Sequence, residues 1–169
     1  MSSKSRNKTL KQIGIAKEKV SITEYRRATI WDAHAITILW ADGFYKQTNG
    51  YKKDGKEPDR FYLSLIQKIF SPEHIVYCAL REKKLVGFGL AKAFIMENTI
   101  HRTANVRDVY VVKDLRGHGI GATIFKKIET LLKEADVKYL EFDRGMEVSP
   151  KKMEKRGYKP YYVLYRKEL

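Results

Sequence analysis

The chain has 169 residues, 34 Lys and Arg against 20 Asp and Glu for a net charge of +14, and a single cysteine, Cys78. That length suits one domain with a sizeable core. An internal disulfide is excluded and a reducing, cytoplasmic setting is expected; no apolar run approaches the roughly 18 residues of a membrane span, and the charged start holds no signal-peptide core.

In chain order, residues 1–20 read as a basic, flexible arm with a helical turn or two near Leu10–Val20. Lys4, Arg6, Lys8, Lys11, Lys17 and Lys19 oppose only Glu18 there, so +5 lies in the arm and +9 in the single domain of 21–169. Thr23–Thr29 is a predicted strand. Trp31–Phe44 places Ile36, Leu39 and Trp40 at helical spacing. Tyr45–Pro58, polar and rich in Lys, Gly and Asn, reads as a long loop. Asp59 is placed to cap a second helix whose Tyr62, Leu65, Ile66 and Ile69 share a face and which Ser71-Pro72 ends. Ile75–Arg81 and Leu85–Met96 follow as strands joined by a hairpin at Glu82-Lys83-Lys84. Cys78 lies in the first of these and reads as a buried core thiol. Asn105–Val112 is the next strand. The helix after it carries a stripe of Ile120, Ile124, Ile128, Leu131, Leu132 and Ala135. Val137–Asp143 reads as a strand, Pro150–Arg156 as a short helix stopped by Gly157, and Tyr158–Lys167 as the last strand.

Between the strand ending at Val112 and the helix after it lies Arg116-Gly117-His118-Gly119-Ile120-Gly121. A strand, a glycine-rich turn and a helix start together build an anion cradle. Glycines let successive backbone N–H groups turn toward one point, and the helix N-terminus adds partial positive charge. A phosphate-bearing ligand is the expected occupant. A Walker loop is excluded, because Gly121 leads into Ala122-Thr123 and not Lys-Ser/Thr. A dinucleotide fingerprint fits Gly117, Gly119 and Ala122, and finds an acid at Glu141 or Asp143. Its position argues against it: only 26 residues follow Asp143, and the polar Lys113-Asp114-Leu115-Arg116 separates the strand from the first glycine.

With its flanks, Val106–Leu132 resembles the acyl-CoA signature of the GNAT N-acyltransferase superfamily. The pattern Q/R-x-x-G-x-G/A is met by Arg116, Gly119 and Gly121, after a strand reading Val106-Arg107-Asp108-Val109-Tyr110-Val111-Val112. The resemblance implies an α+β (three-layer α/β) fold with a mixed, mostly antiparallel sheet and helices on both faces. In such a fold the strands Asn105–Val112 and Val137–Asp143 splay to admit the pantetheine arm of acetyl-CoA, the acyl donor. Backbone N–H groups of Arg116, Gly117, His118, Gly119, Ile120, Gly121 and Ala122 then hold the pyrophosphate, with His118 itself a solvent-facing turn residue. Backbone groups of Tyr110, Val111 and Val112 bind the pantetheine amides. One N–H of this strand would polarise the thioester carbonyl, a contribution on the order of 3 kcal/mol. No metal is implied.

An amine acceptor of lysine type titrates near about 10.4, so few molecules are nucleophilic at neutral pH without a base. Asp108 is the candidate base, expected on one face with Val106, Tyr110 and Val112. The family's proton-donating tyrosine is replaced: in Met153-Glu154-Lys155-Arg156-Gly157-Tyr158 a thioether stands in its place and has no proton to give. Tyr110, Tyr158, Tyr161 and Tyr162 are the possible substitutes. The Asn-x-x-Ala ahead of that helix is also missing, with Met146 and Ser149 in those places.

The expected function is therefore acetyl transfer from acetyl-CoA to a primary amine. A free polyamine would be repelled by +14, so an acceptor on or near nucleic acid is favoured: aminoacyl-tRNA, a modified base or a protein amine. The arm and Lys46–Lys56 would grip its phosphates, tRNA or DNA. The competing reading is a non-catalytic module that binds coenzyme A or nucleic acid, kept open by Met153. No membrane partner is expected, and a homodimer is left open.

Overall fold

The computed structural model describes residues 22–47, 56–95, 101–142, 151 and 154–160, with backbone alone for 44–47 and 142. Its elements are β1 (Thr23–Arg27), a 3-10 turn (Ile30–Asp32), α1 (Ala33–Gln47), α2 (Glu57–Phe70), β2 (His74–Arg81), β3 (Lys84–Ile95), β4 (Arg102–Val111), a second 3-10 turn (Lys113–Leu115), α3 (Ile120–Glu134) and β5 (Tyr139–Phe142). The strands form one sheet in the order β1-β2-β3-β4-β5. The first three pairings are antiparallel and β4 with β5 is parallel, as a strand–helix–strand crossover through α3 requires.

Helices cover both faces. Ile120, Ile124, Phe125, Ile128 and Leu132 of α3 pack with Ile75, Tyr77, Ala79, Ala91, Ala104 and Val106 on one side. Ala33 and Ile36 of α1 and Leu65 of α2 pack with Val76, Cys78, Leu80, Phe88 and Leu90 on the other. The expected α+β fold is the observed one. Cys78 is fully buried and its thiol is pushed up to about 12 by desolvation, so it is a core residue with no thiolate to offer.

Several boundaries differ from expectation for local reasons. The first helix opens as a 3-10 turn: Asp32 accepts the backbone N–H and the hydroxyl of Thr29 (2.7 and 2.8 Å) and a two-pronged bond from Arg26 (2.7 and 2.9 Å). Burial alone would raise this carboxyl, and these donors hold it below its usual range. The loop expected at Tyr45–Pro58 is shorter, because α1 runs on to Gln47 and α2 starts at Glu57. Pro58 sits in the first turn of α2, where its missing N–H costs nothing, and Lys56 rather than Asp59 occupies the cap position. Glu82 and Lys83 form the two-residue hairpin with φ of +51° and +64°. Ala135 is exposed at the end of α3, and Phe125, absent from the expected stripe, is buried in its place. Tyr158–Pro160 is not strand. The arm, the rest of the last strand, and Met146, Ser149 and Met153 lie outside the described residues.

Candidate active site

The site is organised by β4 and by one irregularity within it. Leu90 of β3 stands opposite Asp108 while Ala91 stands opposite Val106, which leaves Arg107 as an extra residue, a β-bulge. Ala104 and Val106 point toward α3 before the bulge, and Val109 and Val111 do so after it. Asp108 is thereby turned to the opposite face with Leu90, and Tyr110 follows it opposite Phe88. This corrects the simple alternation: Asp108 shares its face with Tyr110, whereas Val106 and Val112 pack toward α3. The half-buried carboxyl of Asp108 accepts no hydrogen bond among the described residues. Desolvation raises its pKa against the opposing pull of Arg107 and Lys68. A carboxylate that is dehydrated, unbonded and raised is poised to take a proton.

The backbone beyond Asp108 has a directional preference. Val112 donates its N–H to the Val86 carbonyl (3.0 Å) and accepts from the N–H of Leu115 (3.1 Å), so both its groups are committed. Bonded and open pairs alternate along an antiparallel ladder. Tyr110 therefore points its peptide groups toward β3 as Val112 does, and Val109 and Val111 turn theirs to the other side. On that side the Val111 carbonyl accepts from Arg116 Nε at 3.0 Å. The ladder with β5 covers only Thr103–Val106, so β4 continues beyond its last paired residue on this edge.

The glycine turn follows. Gly117 and Gly119 have φ of +83° and +79°, and Gly119 caps α3. A side chain would be strained at either by about 1–3 kcal/mol, yet a Cβ there would meet nothing within 4 Å. The glycines answer to backbone conformation, and the space before them is open. Thr123 makes the first helical bond, its N–H to the Gly119 carbonyl at 2.9 Å, which leaves the N–H groups of Ile120, Gly121 and Ala122 at the free helix start. Gly121 rests on Val111 and Val109, where a Cβ would sit at 3.5 and 3.7 Å, so alanine fits there too. His118 is exposed, its Nδ1 3.0 Å from the Arg116 carbonyl. Arg116 also lays its guanidinium 5.1 Å from the centre of the Tyr110 ring, which ties the turn to β4 a second time.

Gly43 and Lys68 are among the residues that escaped the sequence reading. A Cβ on Gly43 of α1 would lie 2.2 Å from the Tyr110 ring, so this glycine lets α1 lie against the ring that Arg116 covers. A glycine inside a helical pattern was the available signal. Lys68 of α2 reaches the electrostatic neighbourhood of Asp108, and nothing in its sequence context marks it. Tyr158 packs on Phe125 of α3, across the sheet from Asp108, with its hydroxyl pKa raised by burial; its position removes it as a proton donor to the Asp108 side. Tyr161 and Tyr162 lie outside the described residues.

The model of the acetyltransferase (GNAT) family matches residues 35–154. Among solved structures, a predicted acetyltransferase from Clostridium acetobutylicum with acetyl-CoA superposes at TM-score 0.75 with 11% identity, covering 87% of this chain and 96% of that one. A ribosomal-protein-alanine N-acetyltransferase from Brucella melitensis biovar Abortus 2308 gives 0.66 at 18% identity, covering 88% and 100%. Glucosamine-6-phosphate N-acetyltransferase from Arabidopsis thaliana gives 0.67 at 14% identity, covering 87% and 98%. No curated protein matches the chain in sequence.

Proposed function

The chain belongs to the GNAT family of acetyltransferases, and from that premise we propose that it transfers acetyl from acetyl-CoA to a primary amine with Asp108 as the base. The observation that carries this reading is one strand, β4, holding a dehydrated, unbonded carboxyl and running into an open glycine turn. The residues fit the donor. N–H groups of the turn, Gly117 to Ala122, receive the pyrophosphate. Of the expected pantetheine contacts Tyr110 and Val112 turn to β3, so the outward peptide groups of Val109 and the N–H of Val111 receive the pantetheine amides. Bound acetyl-CoA supplies an activated acyl thioester. Asp108 takes the proton of the incoming ammonium, and its raised pKa narrows the gap to an amine near about 10.4. Tyr110 is our candidate proton donor in place of Met153, because it shares the Asp108 face.

The acceptor is not fixed by fold: solved relatives are named for a ribosomal alanine and for a sugar phosphate. The net charge of +14 supports an acceptor carried on or near nucleic acid, such as aminoacyl-tRNA, a modified base or a protein amine.

Calorimetric titration with acetyl-CoA in moderate salt tests the donor site. Saturable binding is expected for the native chain and none for Gly119→Arg, which is strained and fills the turn, at an unchanged circular-dichroism spectrum. Absence of binding by the native chain overturns the reading.

A further inference from the structure

The face of the sheet that carries Asp108 also collects cations. His74 of β2 stands opposite Lys92 of β3, and Lys92 opposite Asn105 of β4. Opposite residues share a face, and Lys92 lies two residues from Leu90, which packs on this side and stands opposite Asp108. Lys92 is therefore a diagonal neighbour of Asp108, at roughly 7–8 Å between the strands. Arg107, the exposed bulge residue, acts electrostatically on Asp108, Lys68 and His74. From above, α2 buries Leu65 on this face, and Lys68 stands one turn further along the same side of the helix. Among the described residues Lys68 bonds only the hydroxyl of Ser64 on its own helix. Lys68, Lys92 and His74 are each half-buried.

These charges feel one another. The Lys68 ammonium is pushed down by burial and then by Arg107 and Lys92, with Asp108 alone opposing. His74 is pushed down by burial, Lys68, Lys92 and Arg107, with Glu73 opposing. Among the described residues no salt bridge pairs Lys68, Lys92 or Arg107 with a carboxylate. Three half-desolvated or crowded cations around one carboxyl are an arrangement that a bound anion would relieve. Nor does the cluster serve the donor's phosphates, since the glycine turn lies past Val111, at the other end of β4, and opens onto α3.

We propose that this cluster, Lys68, Lys92 and Arg107 with His74 beside them, binds a phosphoryl group carried by the acceptor near its reactive amine. The claim rests on the acetyl-transfer reading and names the substrate class of that site. A phosphoryl group matches the donor count: its three oxygens accept from several cations at once, where a carboxylate is satisfied by one forked partner. The group comes from one of two sources, a small phosphorylated amine or a nucleotide phosphate beside an aminoacyl group.

The test compares matched acceptors: ethanolamine with phosphoethanolamine, propylamine with β-alanine, and aminoacyl-tRNA with the free amino acid. Coenzyme A release is the readout for transfer, and calorimetric titration with phosphoethanolamine is the readout for binding alone. The phosphorylated amine is expected to be preferred in kcat/KM by tenfold or more, mostly through KM. Lys92→Met and Lys68→Met should each erase about tenfold of that preference while the Kd for acetyl-CoA stays unchanged, and Lys92→Arg should restore it. Preference for aminoacyl-tRNA over phosphoethanolamine, lost in the same variants, assigns the phosphate to a carrier and supports the cluster. Equal use of phosphorylated and plain amines, or preference for β-alanine, overturns it. Phosphoethanolamine binding that these variants abolish, in a chain that does not bind acetyl-CoA, keeps the cluster and overturns the acetyl-transfer reading alone.

Discussion

Beyond Val111, β4 runs into a turn whose useful groups are peptide N–H groups, held by two glycines at positive φ and by the start of α3. Beside the middle of the same strand, the groups on offer are side chains gathered from α2, β2, β3 and the bulge. The two regions differ in how sequence controls them. A backbone cradle is indifferent to most substitutions and fails only where conformation fails, at Gly117 or Gly119. A side-chain cluster changes character with each residue exchanged. The first suits a ligand that stays the same, the donor; the second suits the acceptor, the part of the reaction that varies within a fold.

The largest expected effect lies where the two regions meet. Asp108→Asn should lower kcat for acetyl transfer by about 10²–10⁴-fold with acetyl-CoA affinity kept, as calorimetry would report; full activity would remove Asp108 as the base. Because its carboxyl pKa is raised in the folded state, ionised Asp108 costs stability. That stability is present below the ordinary aspartate range and is lost as pH rises through the raised value. Thermal melts should therefore show Asp108→Asn and native chain alike in acid and the variant melting higher at neutral pH.

A smaller effect probes the contact between α1 and Tyr110 of β4. Gly43→Ala drives a methyl into the Tyr110 ring and should cost about 1–3 kcal/mol in chemical denaturation. Adding Tyr110→Leu should return most of it; no recovery would mean that the ring is not the obstacle. The smallest expected change is that of Arg116→Met, which removes the bond to the Val111 carbonyl and the ring contact. Acetyl-CoA affinity should fall by about three- to tenfold, roughly 1 kcal/mol. A loss as deep as that of Gly119→Arg would make Arg116 a ligand-binding charge and not a brace.

The contrast also explains what was legible. The turn was readable because six adjacent residues carry it, from Arg116 to Gly121, and because glycine leaves a mark that conformation explains. Most of the α3 stripe and the succession of strands and helices from Thr23 to Phe142 were readable for a similar reason, since periodicity is local. The face of Asp108 was misjudged in company, though the residue itself was singled out: alternation through Val106-Arg107-Asp108 is unbroken in sequence, and only the pairing of Leu90 and Ala91 shows the extra residue. Lys68, His74 and Lys92 were not legible at all. They are ordinary polar residues on three separate elements, and register alone brings them to Asp108.

The bulge at Arg107 has a consequence for how mutations should be tolerated along β4. The strand is two phases spliced together: even-numbered residues are buried against α3 before the splice, odd-numbered ones after it. A saturation scan of Ala104–Val111 would print that phase slip, with charge rejected at Ala104 and Val106, then at Val109 and Val111. Deleting residue 107 would remove the extra residue itself and leave Ala104, Val106, Val109 and Val111 facing α3 in unbroken alternation. A missing codon there should therefore be tolerated better than one in the regular part of β4, which would swap the faces on one side of it.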